Sequence, residues 1–179
     1  MEKLEIAKNI KQNQEIPSNI EAEQHLLGSV LVNNDIIDEI ANIINSIKFY
    51  DPIHIKIYEV IENLNSKGMI ANPITLKNYF EKNQGLDDVG GVEYLVKLTR
   101  FSSSVKQAID YAKIIHENFV KRELIQISHH IKDDSLNSEE DKSSDLIIED
   151  AEKLLFDLAE RGSFNSSLVK FDEAMKQTI

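Results

Sequence analysis

The stretch from Ser102 to Asp134, SSSVKQAIDYAKIIHENFVKRELIQISHHIKDD, contains neither glycine nor proline. Within it, Val105, Ala108, Ala112, Ile115, Phe119, Leu124, Ile127 and Ile131 step mostly by three or four. That spacing predicts one long helix. A polar, acidic loop follows, KDDSLNSEEDKSS, best read as solvated chain. A second long helix is predicted over 144–161, with Leu146, Ile147, Ala151, Leu154, Leu155 and Leu158 as its stripe. Two long helices with matching apolar faces and a modest link predict an antiparallel hairpin.

A hairpin of two helices buries only the faces between them. Ile109, Ile114 and Val120 lie off the first stripe, and Ile148 and Phe156 lie off the second. Leftover apolar surface on a protruding pair points to a partner. These five, with Phe119, form the candidate oligomer interface.

Ahead of the hairpin the rhythm is shorter. Pro17, Ser18 and Asn19 precede a periodic run that predicts a helix over 20–32, with Glu21 and Glu23 in its first turn. There they favour the exposed amides and the positive end of the helix dipole. Gly28 interrupts that helix, either because another backbone approaches closely or because it is merely tolerated. A turn at 33–35 leads to a predicted helix over 35–44. Asp51–Pro52 and Asn72–Pro73 are two cap-then-first-position pairs, and Gly68 and Gly85 are stop signals. A further short helix follows the double glycine at 90–91, with Asp87 and Asp88 as its capping segment rather than an acid–base pair. The expectation is an all-α protein: a compact head of five to six helices over 17–101, then the hairpin over 102–161. Residues 1–16 are expected to form a flexible N-terminal arm. The segment 162–179 is expected to be a linker with the start of a further helix, in which Leu168, Phe171 and Met175 recur at steps of three or four and suit docking on something outside the chain.

Composition narrows the function classes. Three prolines and six glycines in 179 residues favour helices over strands and turns. A formal net charge of -11 repels phosphate backbones, which disfavours a primary nucleic-acid surface. Cysteine is absent, which removes disulfides, thiol nucleophiles and cysteine zinc sites. No apolar run approaches the roughly 20 residues that span a bilayer. No phosphate loop, dinucleotide fingerprint, zinc-protease helix or serine-hydrolase elbow occurs. The five histidines form no i, i+4 pair. His54 reads either as a hydrogen-bonding anchor or, more simply, as a half-buried packing residue. These observations describe a helical protein-interaction domain with no catalytic residue, no cofactor-binding residue and no metal ligand.

The order of the motifs resembles the N-terminal domain of the bacterial replicative DNA helicases of the DnaB family. PSNIEAEQHLLGSVL is similar to that family's opening helix. FYDPIHIKIYEVIENL resembles its next signature, with Phe49, Tyr50, His54 and Tyr58 on matching positions. ITL, LDDVGGVEYLVKL, DYAKIIHENFVKRELI and DAEKLLFDLAE follow in family order, over about 17–160. Two departures are Asn72, where the family often has Asp, and Gln107, where it often has Asn and a local hydrogen bond is put in doubt.

The resemblance implies a non-catalytic collar domain of a hexameric helicase, a trimer of dimers in which hairpins pair between subunits. It implies that this chain is part of a longer, ATP-dependent 5'-3' helicase whose missing motor domain would hold ATP and Mg and would contact DNA. Implied partners are a second copy of the chain, the primase C-terminal domain and a helicase loader, with no membrane and a bacterial cytoplasmic location. Leu168, Phe171 and Met175 would belong to the linker helix that packs on a neighbouring motor. The alternative is a stand-alone helical adaptor.

Overall fold

The computed structural model describes residues 15–82, 91–136 and 143–162, with side chains through 160. Among these residues there are seven α-helices, one 3₁₀ turn and no strand.

Helix α1 (Ile20–Val32) is capped by Asn19, whose Oδ1 accepts from the Ala22 amide at 2.9 Å. Ala22, Leu26, Leu27, Val30 and Leu31 are all buried, so the helix is apolar on most of its circumference and occupies the centre of the head. It packs against α6, α5, α3 and α2. Gly28 is there for close approach: a Cβ at this position would overlap the carbonyl oxygen of Leu98 in α5. Backbone, unlike a side-chain end, cannot move aside cheaply, and this decides between the two readings of that glycine.

The second helix is shorter than expected. α2 covers only Ile36–Ile40. Asp35 already has helical backbone angles and makes no side-chain cap; Asn33 Oδ1 accepts from the Asp35 amide instead, at 3.0 Å. Ile43 and Ile44, past the end of the helix, are buried all the same. Extended Asn45 and a 3₁₀ turn at Ser46–Lys48 break the helix there. Lys48 Nζ donates to the Ile43 carbonyl at 2.7 Å, and burial lowers its pKa.

Helix α3 (Pro52–Ser66) begins as its sequence predicts, with Asp51 Oδ1 accepting from the Ile53 amide at 2.8 Å. It ends at Gly68, whose φ of 69° lets the Met69 amide return to the Leu64 carbonyl. Helix α4 (Pro73–Lys82) is capped by Asn72, whose Oδ1 accepts from Ile74 and Thr75. The expected stop at Gly85 and cap at Asp87 and Asp88 lie outside the described residues. Helix α5 (Gly91–Thr99) follows.

Helix α6 (Val105–Leu136) is the long helix, 32 residues or about 48 Å. Its start is closed by a reciprocal pair: Ser104 N and Oγ donate to Gln107 Oε1, and Gln107 N donates to Ser104 Oγ. Gln107 thus makes local hydrogen bonds of its own at this helix start. Helix α7 (Ser144–Gly162) packs along α6 as the second arm.

The head core is not confined to the head's own helices. Ala108, Ala112 and Ile115 of α6 belong to the same buried cluster as Leu26, Ile57 and Leu95. Further along, Ile127 of α6 and Leu158 of α7 are buried apart from that cluster.

Candidate interaction surface

Two features stand out beyond the apolar core: a buried polar joint in the head, and an open apolar face on the hairpin.

The joint centres on Glu23. Its carboxylate accepts from the backbone amides of Tyr50 at 2.6 Å and Asp51 at 3.3 Å, and from His54 Nδ1 at 2.7 Å. Glu23 is 1% exposed and His54 0%. Glu23 does sit in the first turn, but its carboxylate serves the amides of another segment, which corrects the reading of it as serving its own helix end. Of the two readings of His54, the hydrogen-bonding anchor holds, and it is fully buried. His54 Nε2 meets the Tyr94 hydroxyl at 2.7 Å, and Gln24 Nε2 donates to that hydroxyl at 3.3 Å. With the imidazole proton on Nδ1, the three hydrogen bonds run in one direction: Gln24 to Tyr94, Tyr94 to His54, His54 to Glu23. Burial raises the Tyr94 pKa; its bond from Gln24 opposes that, and the charges of Asp51 and Glu23 add to it. The phenol therefore stays a donor at neutral pH. The chemistry is that of a structural relay: His54 has both nitrogens occupied and no accessible surface.

Arg122 of α6 adds the hairpin to this joint. Nη1 donates to the Pro17 carbonyl at 2.8 Å, and Nη2 to the carbonyls of Lys48 at 2.7 Å and Phe49 at 3.3 Å. Its guanidinium lies 5.4 Å from the Tyr50 ring centre and 5.9 Å from that of Phe119. Burial lowers its pKa, with Glu23 the strongest opposing charge. A second seam ties α1 to the start of α6. There His25 Nδ1 donates to the Phe101 carbonyl at 2.7 Å, its ring stacks on Tyr111, and Ser29 Oγ accepts from the Ser103 amide.

The hairpin carries the open face. Ile114, Ile148 and Phe156 are exposed, at 40%, 57% and 62%. Phe119 and Val120 are half-buried. Ile109 stands apart from the other candidates, half-buried against the head core. Leu124, Leu146 and Leu155, expected on the inner stripes, are also largely exposed. One layer of two helices cannot enclose side chains on both flanks of each stripe. Leu168, Phe171 and Met175 lie outside the described residues. Among the described residues, no group of three or more His, Asp or Glu is placed to hold a metal ion, and no helix is long and apolar enough to cross a membrane.

The geometry defines an all-helical domain, a head bearing a hairpin with exposed apolar side chains. The family model for the DnaB-like helicase N-terminal domain matches residues 15–117, more than half of the chain, and the chain belongs to that family. The replicative DNA helicase DnaB of Rickettsia bellii is 39% identical over 164 residues, covering 92% of this chain and 33% of the relative. That of Rickettsia felis is 36% identical over 180 residues, covering 96% and 36%. The chain thus spans about a third of the length of the curated relatives it matches. Among solved structures, the N-terminal domain of DnaB helicase from Mycobacterium tuberculosis superposes with a TM-score of 0.74 at 24% identity, over 80% of this chain and 99% of that one. A DnaB-like replicative helicase, solved in a study of its interactions with primase, gives 0.64 at 23% identity over 90% of this chain and 36% of that one. The two likenesses establish a shared fold.

Proposed function

We propose that the chain is the non-catalytic N-terminal collar domain of a hexameric replicative DNA helicase. It assembles the ring through its hairpin and offers a docking surface to the C-terminal domain of primase. The observation that carries this reading is the open apolar face of the hairpin on a fold of this family: Ile114, Ile148 and Phe156 are uncovered in the single chain. Pairing with a second copy would remove that surface from water, at about 25 cal/mol per Å² of apolar area. Ring formation then proceeds as a trimer of such dimers. Unwinding of DNA, ATP and Mg belong in this reading to a motor domain in the part of the relatives' length that this chain does not span. Leu168, Phe171 and Met175 dock on a neighbouring motor, a loader delivers the ring to DNA, and the whole acts in the bacterial cytoplasm.

Sedimentation equilibrium of the chain, followed by titration with the cognate primase C-terminal domain, tests both halves of the proposal. Dimers or larger species that bind primase are expected. A monomer that binds no primase would instead leave the stand-alone adaptor reading.

A further inference from the structure

Residues 48–51 join the 3₁₀ turn to α3, and their peptide groups are held from two sides by charged side chains of two other helices. Arg122 of α6 donates to the carbonyls of Lys48 and Phe49. Glu23 of α1 accepts from the amides of Tyr50 and Asp51. The Phe49 carbonyl and the Tyr50 N–H belong to one planar peptide unit. That single amide therefore sits between a guanidinium at 3.3 Å from its oxygen and a carboxylate at 2.6 Å from its nitrogen. Its dipole points the favourable way, oxygen toward the cation and N–H toward the anion. The Tyr50 and Phe119 rings flank the guanidinium and limit water around it.

Arg122 also stands where α6 leaves the head. Ile115 is the last α6 residue in the buried head cluster. Beyond Arg122, Leu124 and Ile125 are exposed, and Ile127 is buried apart from that cluster. Beyond Ile115, among the described residues, no α6 side chain belongs to the buried head cluster, and contact with the head passes to the 3₁₀ turn and its flank. Arg122, with three backbone carbonyls from two segments of the head, is the contact placed to fix the direction of the projecting part of the hairpin.

We propose that Arg122, the Phe49–Tyr50 amide and Glu23 act as one electrostatic joint that sets the direction of the hairpin relative to the head. Opening the joint frees the hairpin to swing while the head stays folded. Neutralising either charge opens it, because the amide then has only one charge to be held by. The inference rests on contacts within the chain and is independent of what binds the hairpin.

The chain has no cysteine, so a pair of introduced cysteines carries spin labels without background. Lys67→Cys in the head and Lys132→Cys on α6 are both at exposed positions. The labelled full chain, diluted into excess unlabelled chain, gives the intramolecular distance by pulsed electron paramagnetic resonance. A narrow distribution is expected for the parent, and broad ones for Arg122→Met and for Glu23→Gln. The double variant should be no broader than either single one, and Arg122→Lys should recover part of the narrowing. Unchanged distributions in both single variants, or broadening that simply adds in the double, would overturn the joint.

Glu23→Gln also disturbs His54 and could unfold the head, so a second readout uses Arg122→Met alone. That variant removes bonds to the carbonyls and takes no partner from the Tyr50 or Asp51 N–H, both of which donate to Glu23. Amide hydrogen exchange at Tyr50 and Asp51 should nevertheless accelerate by about tenfold or more, with Leu27 and Ile57 unchanged. Unaltered exchange at Tyr50 and Asp51 would contradict the coupling.

Discussion

In the head, α1 is buried on nearly every side, and the polar groups that enter with it are paired: Glu23 with two amides and His54, Ser29 with Ser103. In the hairpin, α7 has among its described side chains one buried residue, Leu158, while Leu146, Ile148, Leu155 and Phe156 remain exposed. α1 carries two charged residues in 13 and α7 eight in 19, so composition already separates them. They differ also in the number of neighbours. A helix surrounded by four others can bury an apolar circumference and must then satisfy every polar atom it carries. A helix in a two-helix layer can bury one stripe only, and the rest of its apolar surface waits for a partner. Substitutions in the head should therefore act on folding, and substitutions on the hairpin face should act on association.

The largest effect is expected at the buried pair. His54→Ala leaves the Glu23 carboxylate without its imidazole partner in a site closed to water, and should cost about 3–5 kcal/mol in urea unfolding. Gly28→Ala should cost about 1–3 kcal/mol, because the added methyl meets the Leu98 backbone and forces α1 and α5 apart. Gly68, which has open space around it, is the control, with only the penalty of its positive φ.

A pH dependence comes next. Burial, and then the charge of Glu62, raises the Tyr58 pKa above its ordinary value of 10.0. The folded state therefore keeps the phenol proton at a pH where the unfolded chain gives it up. Its contribution to stability is complete below pH 10 and is lost as the pH rises above that, by about 1.4 kcal/mol per pH unit. Tyr58→Phe should flatten that part of the stability profile. The smallest folding effect belongs to the hairpin: Ile148→Asn should change the unfolding free energy of the single chain by no more than about 0.5 kcal/mol. A loss as large as that of His54→Ala would erase the distinction between the two regions.

Much of this contrast was legible in the residues. Cap-and-proline pairs marked the starts of α3 and α4, Gly68 marked a stop, and the absence of Gly and Pro marked α6. The joint was legible only in part. Glu23 falls three residues after Ile20 and four before Leu27, on an apolar stripe, yet its place in a first turn offered a sufficient surface explanation. Arg122 continues the run Ala108, Ala112, Ile115, Phe119 by a step of three, although the apolar residue nearest to continuing that run is Leu124. A charge on an apolar stripe is the signal for such a site. Its hydrogen-bond partners, lying 27 residues or more away in the chain, come only with the tertiary fold. The early end of α2 was hidden for a similar reason. Ile43 and Ile44 keep the helical spacing while the chain turns, since burial requires only that they face the core.

The family resemblance placed the chain correctly from the order of its motifs, and the matches to DnaB relatives agree with it. Which hairpin residues meet a partner is a matter of surface, where apolar periodicity says less. Of the six candidates, Ile109 is half-buried against the head, whereas Ile114, Ile148 and Phe156 are open.

Light scattering over a concentration series of the chain and of Ile148→Asp/Phe156→Asp decides whether the open hairpin face is an interface. Concentration-dependent association of the parent chain is expected, with a monomeric double variant whose head melts at the parent's temperature. A parent chain that stays monomeric at high concentration, or a double variant that associates as the parent does, would contradict an interface at this face.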